Sequence, residues 1–392
     1  MRSEARSVQV KQVPQVVICA GGGGVGKTTT SAALGLYCAQ LGARVLVVTV
    51  DPARRLAAAL SIEVGGDIQR AALPGLGLKG TLDVLMPRPE DAMEAFADAL
   101  FSEDAERRAT FKNNRIYASL AASLGGIQEF VAVVSVAQAS EAGYDVIVID
   151  TAPSRHALDF LRYAARLAEL LEGKAVGWFA DLASRVRTGE PAGRGGLFAW
   201  GKRRVEALLS SVLDVATIED LAGLFGDLAS VRSGVVTLAR QTEKLLLGPS
   251  SRFVLVGAPT EAAYDDMLHL QQALLGLGKS SDLLILNRAE SHLPDWLEVL
   301  SAETLSPSEQ ALFETLRAES AVRAKLGAQY AERLSHSLGA IPLMRLPYFE
   351  RASPLDVVLD LAATLSATPA GVPFPAWLAN LAADKGRTVK AK

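Results

Sequence analysis

Short apolar runs alternate with longer amphipathic stretches along most of this 392-residue chain. The runs are rich in Val, Ile and Leu, which is typical of buried strands in a parallel sheet. They cover residues 16–20, 44–50, 145–150, 253–257, 283–286 and 341–346. Helical periodicity follows several of them, for example from residue 27 to about 41 and over 354–365. The alternation predicts an α/β fold with one doubly wound, mostly parallel sheet.

Residues 173–250 depart from this alternation, because they carry helical periodicity without a strand signal. We interpret them as a helical insertion with a flexible Gly/Pro/Arg-rich loop, although helices that merely pack around the sheet would explain the pattern equally well. The interpretation divides the chain into a first core part (1–172), the insertion, a second core part (251–370) and a tail (371–392). Residues from about 90 to 142 are also predicted to be mostly helical.

Composition narrows the class of protein. A formal net charge of −3 gives no electrostatic reason to expect a nucleic-acid partner. The two cysteines, Cys19 and Cys38, are too few for a disulfide framework, and we interpret them as small buried hydrophobic residues. Residues 1–15 lack the apolar core of a signal peptide, and no uncharged run is long enough to span a bilayer. We therefore expect a cytoplasmic protein that contacts membranes only through a partner.

A glycine-rich segment links the first predicted strand to the first predicted helix. It reads GGGGVGKT over residues 21–28 and satisfies the pattern G-x-x-x-x-G-K-[ST]. Its glycines let consecutive backbone N–H groups point at an anion, and the helix adds the positive end of its dipole. The candidate nucleotide-binding residues are Gly21, Gly23, Gly24, Val25, Gly26, Lys27, Thr28 and Thr29.

The residue types in this segment suit ATP and Mg²⁺ as cofactors. Lys27 is expected to reach the β- and γ-phosphates and to act in catalysis, and the Thr28 hydroxyl is expected to ligate Mg²⁺. Thr29 or Thr30 could contact the α-phosphate. A glycine-rich turn without a ligand is the alternative, which the coincidence of strand, motif and helix disfavours.

Two aspartates end strands that flank the predicted loop. The carboxyl ends of parallel strands lie at one edge of the sheet, so both should face the phosphates. Asp150 is the candidate Mg²⁺ ligand, through water, and Asp51 is the candidate catalytic residue that orients or deprotonates the attacking water. Asp51 also precedes Pro52 as a helix N-cap would, and the two roles are compatible. Asp150 could alternatively form a turn.

Two further polar residues lie after strands. Asn287 follows the run 283–286 and could read the edge of adenine, but it could equally be an asparagine that ends a strand in a turn. His156 lies in the turn that follows Asp150, where a switch could order with ATP and relax after hydrolysis. It could instead be a polar residue in the first turn of a helix.

Three motifs together resemble the ArsA family of ATPases. The segment at 21–28, DPA at 51–53 and DTAP at 150–153 are similar, in order, to its P-loop, switch I and switch II. The segments 113–117, 128–130 and 154–161 look like a bacterial branch of the family. The resemblance implies a P-loop NTPase fold with a deviant Walker A motif, a helical subdomain, and a face-to-face dimer that closes over ATP. It also implies roles for Asp51 in water activation, His156 in switch II and Asn287 at adenine.

The sequence departs from this family at several positions. The family's second lysine, which follows the first loop glycine and reaches across the dimer, is replaced by Gly22. No Cys-x-x-Cys pair for zinc is present, both cysteines flank the loop, and only 5 methionines are available for a client groove. We therefore expect no dependence on zinc or metalloid.

The preferred function is that of a magnesium-dependent ATPase acting as a dimeric conformational switch. The dimer could be a homodimer, with Arg54 or Arg155 replacing the lysine, or a heterodimer with an ArsA-like paralogue that retains it. The alternative is a targeting chaperone that holds hydrophobic segments in its helical insertion. Its exposed contacts would be Phe179, Leu197, Phe198 and Trp200. The ATPase subunit of an anion pump and a DNA-partitioning ATPase are less favoured.

Overall fold

One eight-stranded sheet organises the part of the chain that the computed structural model describes. The described residues are 13–50, 55–63, 66–73, 75–122, 127–152, 157–158, 160–162, 169, 215–290, 306–349, 351–366 and 377. The strands are β1 (Gln15–Ala20), β2 (Arg44–Thr49), β3 (Gln69–Arg70), β4 (Thr81–Leu85), β5 (Val146–Asp150), β6 (Ser251–Gly257), β7 (Leu283–Glu290) and β8 (Leu343–Pro347). Their order is β3-β4-β2-β5-β1-β6-β7-β8, and only β3 runs antiparallel to its neighbour. The predicted α/β class with a mostly parallel sheet is confirmed.

Helices connect these strands and build a second unit. They are α1 (Lys27–Gln40), α2 (Arg55–Leu60), α3 (Pro89–Leu100), α4 (Ala105–Lys112), α5 (Arg115–Ala122), α6 (Ile127–Glu141), α7 (Val215–Ser230), α8 (Arg232–Leu247), α9 (Glu261–Leu275), α10 (Pro307–Leu338) and α11 (Pro354–Ser366). Among the described helices, none combines the length and the apolar character that a membrane crossing requires.

The chain divides into two compact units. The first comprises Met1–Met86, Gln138–Leu158 and Leu246–Lys392 and contains the sheet. The second comprises Pro87–Ala137 and Asp159–Leu245, and its described residues are mainly helical. An aromatic cluster lies in the core of the second unit, where Phe111 packs against Phe101 and Tyr117, with ring centroids 5.2 and 4.4 Å apart respectively.

The central strands are apolar along their length because helices cover both faces of the sheet. All five residues of β5 are buried, as are all residues of β1 except the first. Helices α1, α2 and α11 pack together over one face, in a cluster that includes Val254 and Val256 of β6. Side chains alternate along a strand, so Gly257 faces the other side, and there it approaches Met267 of α9. This two-sided burial explains why the strands read as continuous apolar runs.

Strands β3 and β4 were not predicted from the sequence. The apolar run of β4 is interrupted by Asp83, which is buried in the structure. Its carboxylate accepts hydrogen bonds from Arg70 of β3 and from the Tyr144 hydroxyl, the latter over 3.1 Å. Burial, followed by the charge of Asp83, raises the pKa of Tyr144 to about 12. These hydrogen bonds compensate for the burial of the Asp83 carboxylate. They explain how a charged residue can occupy an inner position of a strand.

Helix α10 packs closely against β7, and a glycine of the helix, Gly327, lies at the contact. It begins with a capping box in which Ser306 and Glu309 bond each other's backbone N–H groups. Near its middle, Gly327 comes so close to β7 that a Cβ atom there would lie 1.7 Å from the carbonyl oxygen of Ala289. Only a residue without a side chain allows this helix to approach the strand so closely.

Replacing that glycine should separate the helix from the strand. We expect Gly327→Ala to lower the free energy of unfolding by about 1–3 kcal/mol, because the added methyl group overpacks the contact. The matched control is Gly234→Ala in α8, where a Cβ atom meets nothing within 4 Å. That substitution should raise stability by about 0.5–1 kcal/mol, since alanine favours a helix over glycine. Denaturant titration measures both changes, and a Gly327→Ala variant as stable as the original chain would contradict the packing.

Candidate functional site

The glycine-rich loop joins the carboxyl end of β1 to the start of α1 at the edge where the parallel strands end. Gly26 is the N-cap of α1 and has φ 92°, in the left-handed region that favours glycine. Gly23 and Gly24 are exposed, whereas Val25 is buried against the core. The loop therefore presents its backbone outward at the N-terminus of a 14-residue helix, which is an arrangement that binds anions.

Lys27 is folded over this loop. Only 5% of the residue is exposed, and its Nζ donates a hydrogen bond to the carbonyl oxygen of Gly22 over 2.9 Å. Thr30, one turn further along α1, donates from its hydroxyl to the carbonyl oxygen of Gly26. The predicted phosphate-binding lysine is thus held at the loop in the first turn of the helix.

Asp150 ends β5 and lies between the strands β1 and β2. It is fully buried, and its carboxylate accepts a hydrogen bond from the Thr49 hydroxyl over 3.0 Å and a longer one from the Ser31 hydroxyl over 3.5 Å. Ser31 follows Thr28 by three residues on α1, so the two share a face of the helix. The structure therefore brings Asp150 to the end of α1 that carries Thr28. Sequence reasoning did not identify Thr49 or Ser31, whose hydroxyl groups fix this carboxylate.

These oxygen atoms suit magnesium. Mg²⁺ prefers hard oxygen ligands and is commonly held by one or two carboxylates together with substrate phosphates. The described residues contain no group of three or more His, Cys, Asp and Glu side chains placed to hold a metal ion. The donor set of Asp150 and Thr28 fits an ion that is shared with a nucleotide and does not need a protein cage.

Both cysteines are buried, Cys19 on β1 next to this site and Cys38 near the opposite end of α1. Burial raises the pKa of the Cys19 thiol to about 12, and the negative charge of Asp150 adds to the effect. Burial likewise raises the pKa of the Cys38 thiol to about 12. The interpretation of both as buried hydrophobic residues is confirmed, and their thiols stay protonated at neutral pH.

Asn287 contacts the phosphate loop directly. It is 5% exposed, and its Nδ2 donates a hydrogen bond to the carbonyl oxygen of Val25 over 2.9 Å. Its Oδ1 accepts a hydrogen bond from the backbone N–H of Arg288 over 3.0 Å. A Cβ atom on Gly26 would lie 2.2 Å from the Asn287 amide nitrogen. Asn287 therefore fastens β7 to the loop, a supporting role that was not predicted, while its contact with adenine stays a prediction.

A carboxylate lies against the position of the missing lysine. A Cβ atom on Gly22 would lie 2.4 Å from Oδ2 of Asp266, which belongs to α9. No sequence pattern pointed to Asp266, since α9 lies far from the loop along the chain. At this position the Asp266 carboxylate occupies the space that the side chain of a longer residue would need.

Several predicted residues lie outside the described part of the chain. They are Asp51, Pro52, Ala53, Arg54, Arg155, His156, Phe179, Leu197, Phe198 and Trp200. Thr151, at the start of the predicted switch after Asp150, is described. Its hydroxyl donates a hydrogen bond to the carbonyl oxygen of Cys19 over 2.9 Å, which anchors the segment to β1.

Comparisons with known proteins agree with this geometry. The family model for the anion-transporting ATPase, ArsA_ATPase, matches residues 14–192. An ATPase get3 of Aspergillus terreus is 30% identical over 175 residues, which is 44% of this chain and 49% of the relative. An ATPase ASNA1 homolog of Entamoeba dispar is 33% identical over 171 residues, or 40% and 48% of the two chains. The chain spans about half the length of the curated relatives it matches.

Proposed function

From the match of residues 14–192 to the ArsA-type ATPase family model and the similarity to the two relatives, we propose that this protein binds ATP with Mg²⁺ and hydrolyses it to ADP and phosphate. The observation that carries the proposal is the pair of buried charges at one sheet edge. Lys27 is held on the glycine-rich loop, and Asp150 faces the first turns of the helix that follows the loop. This juxtaposition is what phosphoryl transfer to water requires, because the reaction depends chiefly on positioning and on charge stabilisation.

Different residues of the site bind the phosphates, hold Mg²⁺ and activate water. The loop N–H groups and the N-terminus of α1 bind the phosphates, and the Lys27 ammonium group exchanges the Gly22 carbonyl oxygen for phosphate oxygens. Thr28 and Asp150 would hold Mg²⁺, which supplies charge neutralisation at the β- and γ-phosphates when bound. Asp51 orients or deprotonates the attacking water.

The second candidate function is that of a chaperone which binds hydrophobic segments. It draws support from the helical character of the described residues of the second unit, including α7 and α8. Residues 173–250 would then contact the client. An anion pump stimulated by metalloid is less favoured, because both thiols are buried and protonated. We also propose a cytoplasmic location, with membrane contact only through a partner.

The lysine variant tests ATP hydrolysis at the assigned site. We expect Lys27→Ala to abolish turnover, because it removes the charge that contacts the phosphates, and to leave the fold intact. A steady-state phosphate-release assay gives the rate, and circular dichroism checks the fold. Lys325→Ala, on the exposed surface of α10, is the matched control and should keep the original rate. Hydrolysis by Lys27→Ala at the original rate would show that the assigned site is wrong.

The Asp51 variant separates binding from chemistry. We expect Asp51→Asn to retain ATP affinity while kcat falls by roughly 10²-fold or more, because the amide keeps a helix cap but loses the base. Single-turnover kinetics and titration with a non-hydrolysable analogue measure the two quantities. Asp265→Asn, at an exposed position of α9, serves as the control. An unchanged kcat would leave Asp51 with a capping role only.

We further propose that the missing lysine is supplied by a partner. A cation that reaches the transferring phosphate from another subunit can contribute roughly 10³–10⁵ in rate. A homodimer of this chain lacks the lysine on both sides, so a heterodimer with an ArsA-like paralogue would have one assisted site and one unassisted site. We expect the purified chain alone to turn over slowly and the mixture with the paralogue to turn over faster. Phosphate release by both preparations measures this difference.

One outcome would favour an in-chain substitute over this proposal, and a second experiment restores the lysine. Full activity of the chain alone, lost on Arg54→Ala or Arg155→Ala, would eliminate the need for a heterodimer. The substitution Gly22→Lys restores the lysine in the homodimer. Its Cβ atom would clash with the Asp266 carboxylate. We therefore expect Gly22→Lys combined with Asp266→Ser to accelerate the homodimer more than Gly22→Lys alone.

A further inference from the structure

Arg288 holds an unfavourable backbone conformation beside the phosphate loop. Its φ is 58°, and Ser61 is the only other non-glycine residue with a positive φ in the described part of the chain. The pairing of β7 with β8 shifts register here, because Leu286 pairs with Arg345 but Glu290 pairs with Pro347. Residues 287–289 of β7 thus bulge opposite one residue of β8. Bulges and left-handed non-glycine residues are concentrated at functional sites, where they redirect a side chain.

The neighbours of Arg288 on both sides hold this conformation in place. Asn287 is bonded to Val25 of the loop and accepts a hydrogen bond from the Arg288 N–H. Ala289 is buried under Gly327 of α10. Between these two buried residues the Arg288 side chain is exposed. Glu290, the nearest carboxylate along the strand, is paired with Arg345 over 3.0 Å, and no ion pair of Arg288 with another described residue is found. The guanidinium is thus presented to the solvent at the rim of the site.

The strand order indicates which part of a nucleotide lies near Arg288. Asp150, the proposed Mg²⁺ ligand, ends β5 on one side of β1, whereas β7 lies on the other side, beyond β6. A nucleotide that crosses the loop with its Mg²⁺-bound phosphates towards Asp150 extends its base towards β7. Ligands of open α/β sheets bind in this crevice outside the carboxyl ends of the strands.

We propose that Arg288 binds the purine base of the nucleotide, with its guanidinium plane stacked on the ring. The inference rests on the proposed function and adds a residue for base recognition to it. A guanidinium is planar and weakly hydrated, so it suits the face of an aromatic base better than an ammonium does. The unfavourable backbone then has a function, because it places the side chain on the base side of the loop.

The test uses the full chain and compares ligands with and without a base. Arg288→Asn removes the guanidinium but tolerates a left-handed backbone, and Arg288→Lys keeps the charge but not the plane. Calorimetric titration with ATP and ADP, and competition by tripolyphosphate, give the affinities in the presence of Mg²⁺. Arg107→Asn, at an exposed position of α4, is the matched control.

We expect Arg288→Asn to weaken ATP and ADP by the same factor, about ten-fold, and to leave tripolyphosphate unchanged. Arg288→Lys should lose part of this affinity. The ligand-free melting temperature of Arg288→Asn should equal or exceed that of the original chain, because asparagine adopts positive φ more readily. Unchanged ATP affinity, or an equal loss for tripolyphosphate, would overturn the proposal. Failure of the original chain to bind ATP would instead refute the proposed function.

Discussion

Lys27 and Asp150 carry opposite charges that are almost completely buried at the carboxyl edge of the sheet. A buried charge is costly unless hydrogen bonds or an opposite charge compensate for the lost hydration. The Gly22 carbonyl oxygen accepts from the lysine, and the Thr49 and Ser31 hydroxyls donate to the aspartate. These partners lie on the loop, on β2 and on α1, so the site exists only when the parallel sheet and its first helix are assembled in this register.

The register also gives the site a direction. β1 lies between β5, which ends in Asp150, and β6, beyond which β7 carries Asn287 and Arg288. The side towards β5 offers a carboxylate and hydroxyl groups, which suit a metal and phosphates. The side towards β7 offers an amide fixed to the loop and an exposed guanidinium. One strand order therefore separates the carboxylate and hydroxyl groups of the proposed Mg²⁺ site from the amide and guanidinium groups of the proposed base site.

Patterns within a short stretch of sequence correctly predicted the local structure that depends on them. The strand before the loop, the loop itself and α1 follow from an apolar run, glycines and a helical period, all within one short segment. β4 was missed because Asp83 interrupts its apolar run, and its partners Arg70 and Tyr144 come together only in the fold. The hydrogen bond from Asn287 to Val25 joins residues 262 positions apart, so no pattern along the chain could indicate it. The loop could be predicted from the sequence, but the distant residues that hydrogen-bond to it could not.

The close approach of Asp266 to Gly22 is another such long-range feature. It affects whether a lysine at position 22 of the loop could reach a partner subunit. The side chain of a lysine at position 22 would clash with the Asp266 carboxylate, because its Cβ atom would lie 2.4 Å from Oδ2 of Asp266. The carboxylate would have to rotate away, and afterwards it would still attract the ammonium group at short range. A lysine held in this way would be drawn back to its own subunit and away from a partner's nucleotide. Gly22 and Asp266 are therefore consistent with each other, because a chain that carries this aspartate on α9 gains little from a lysine in its loop.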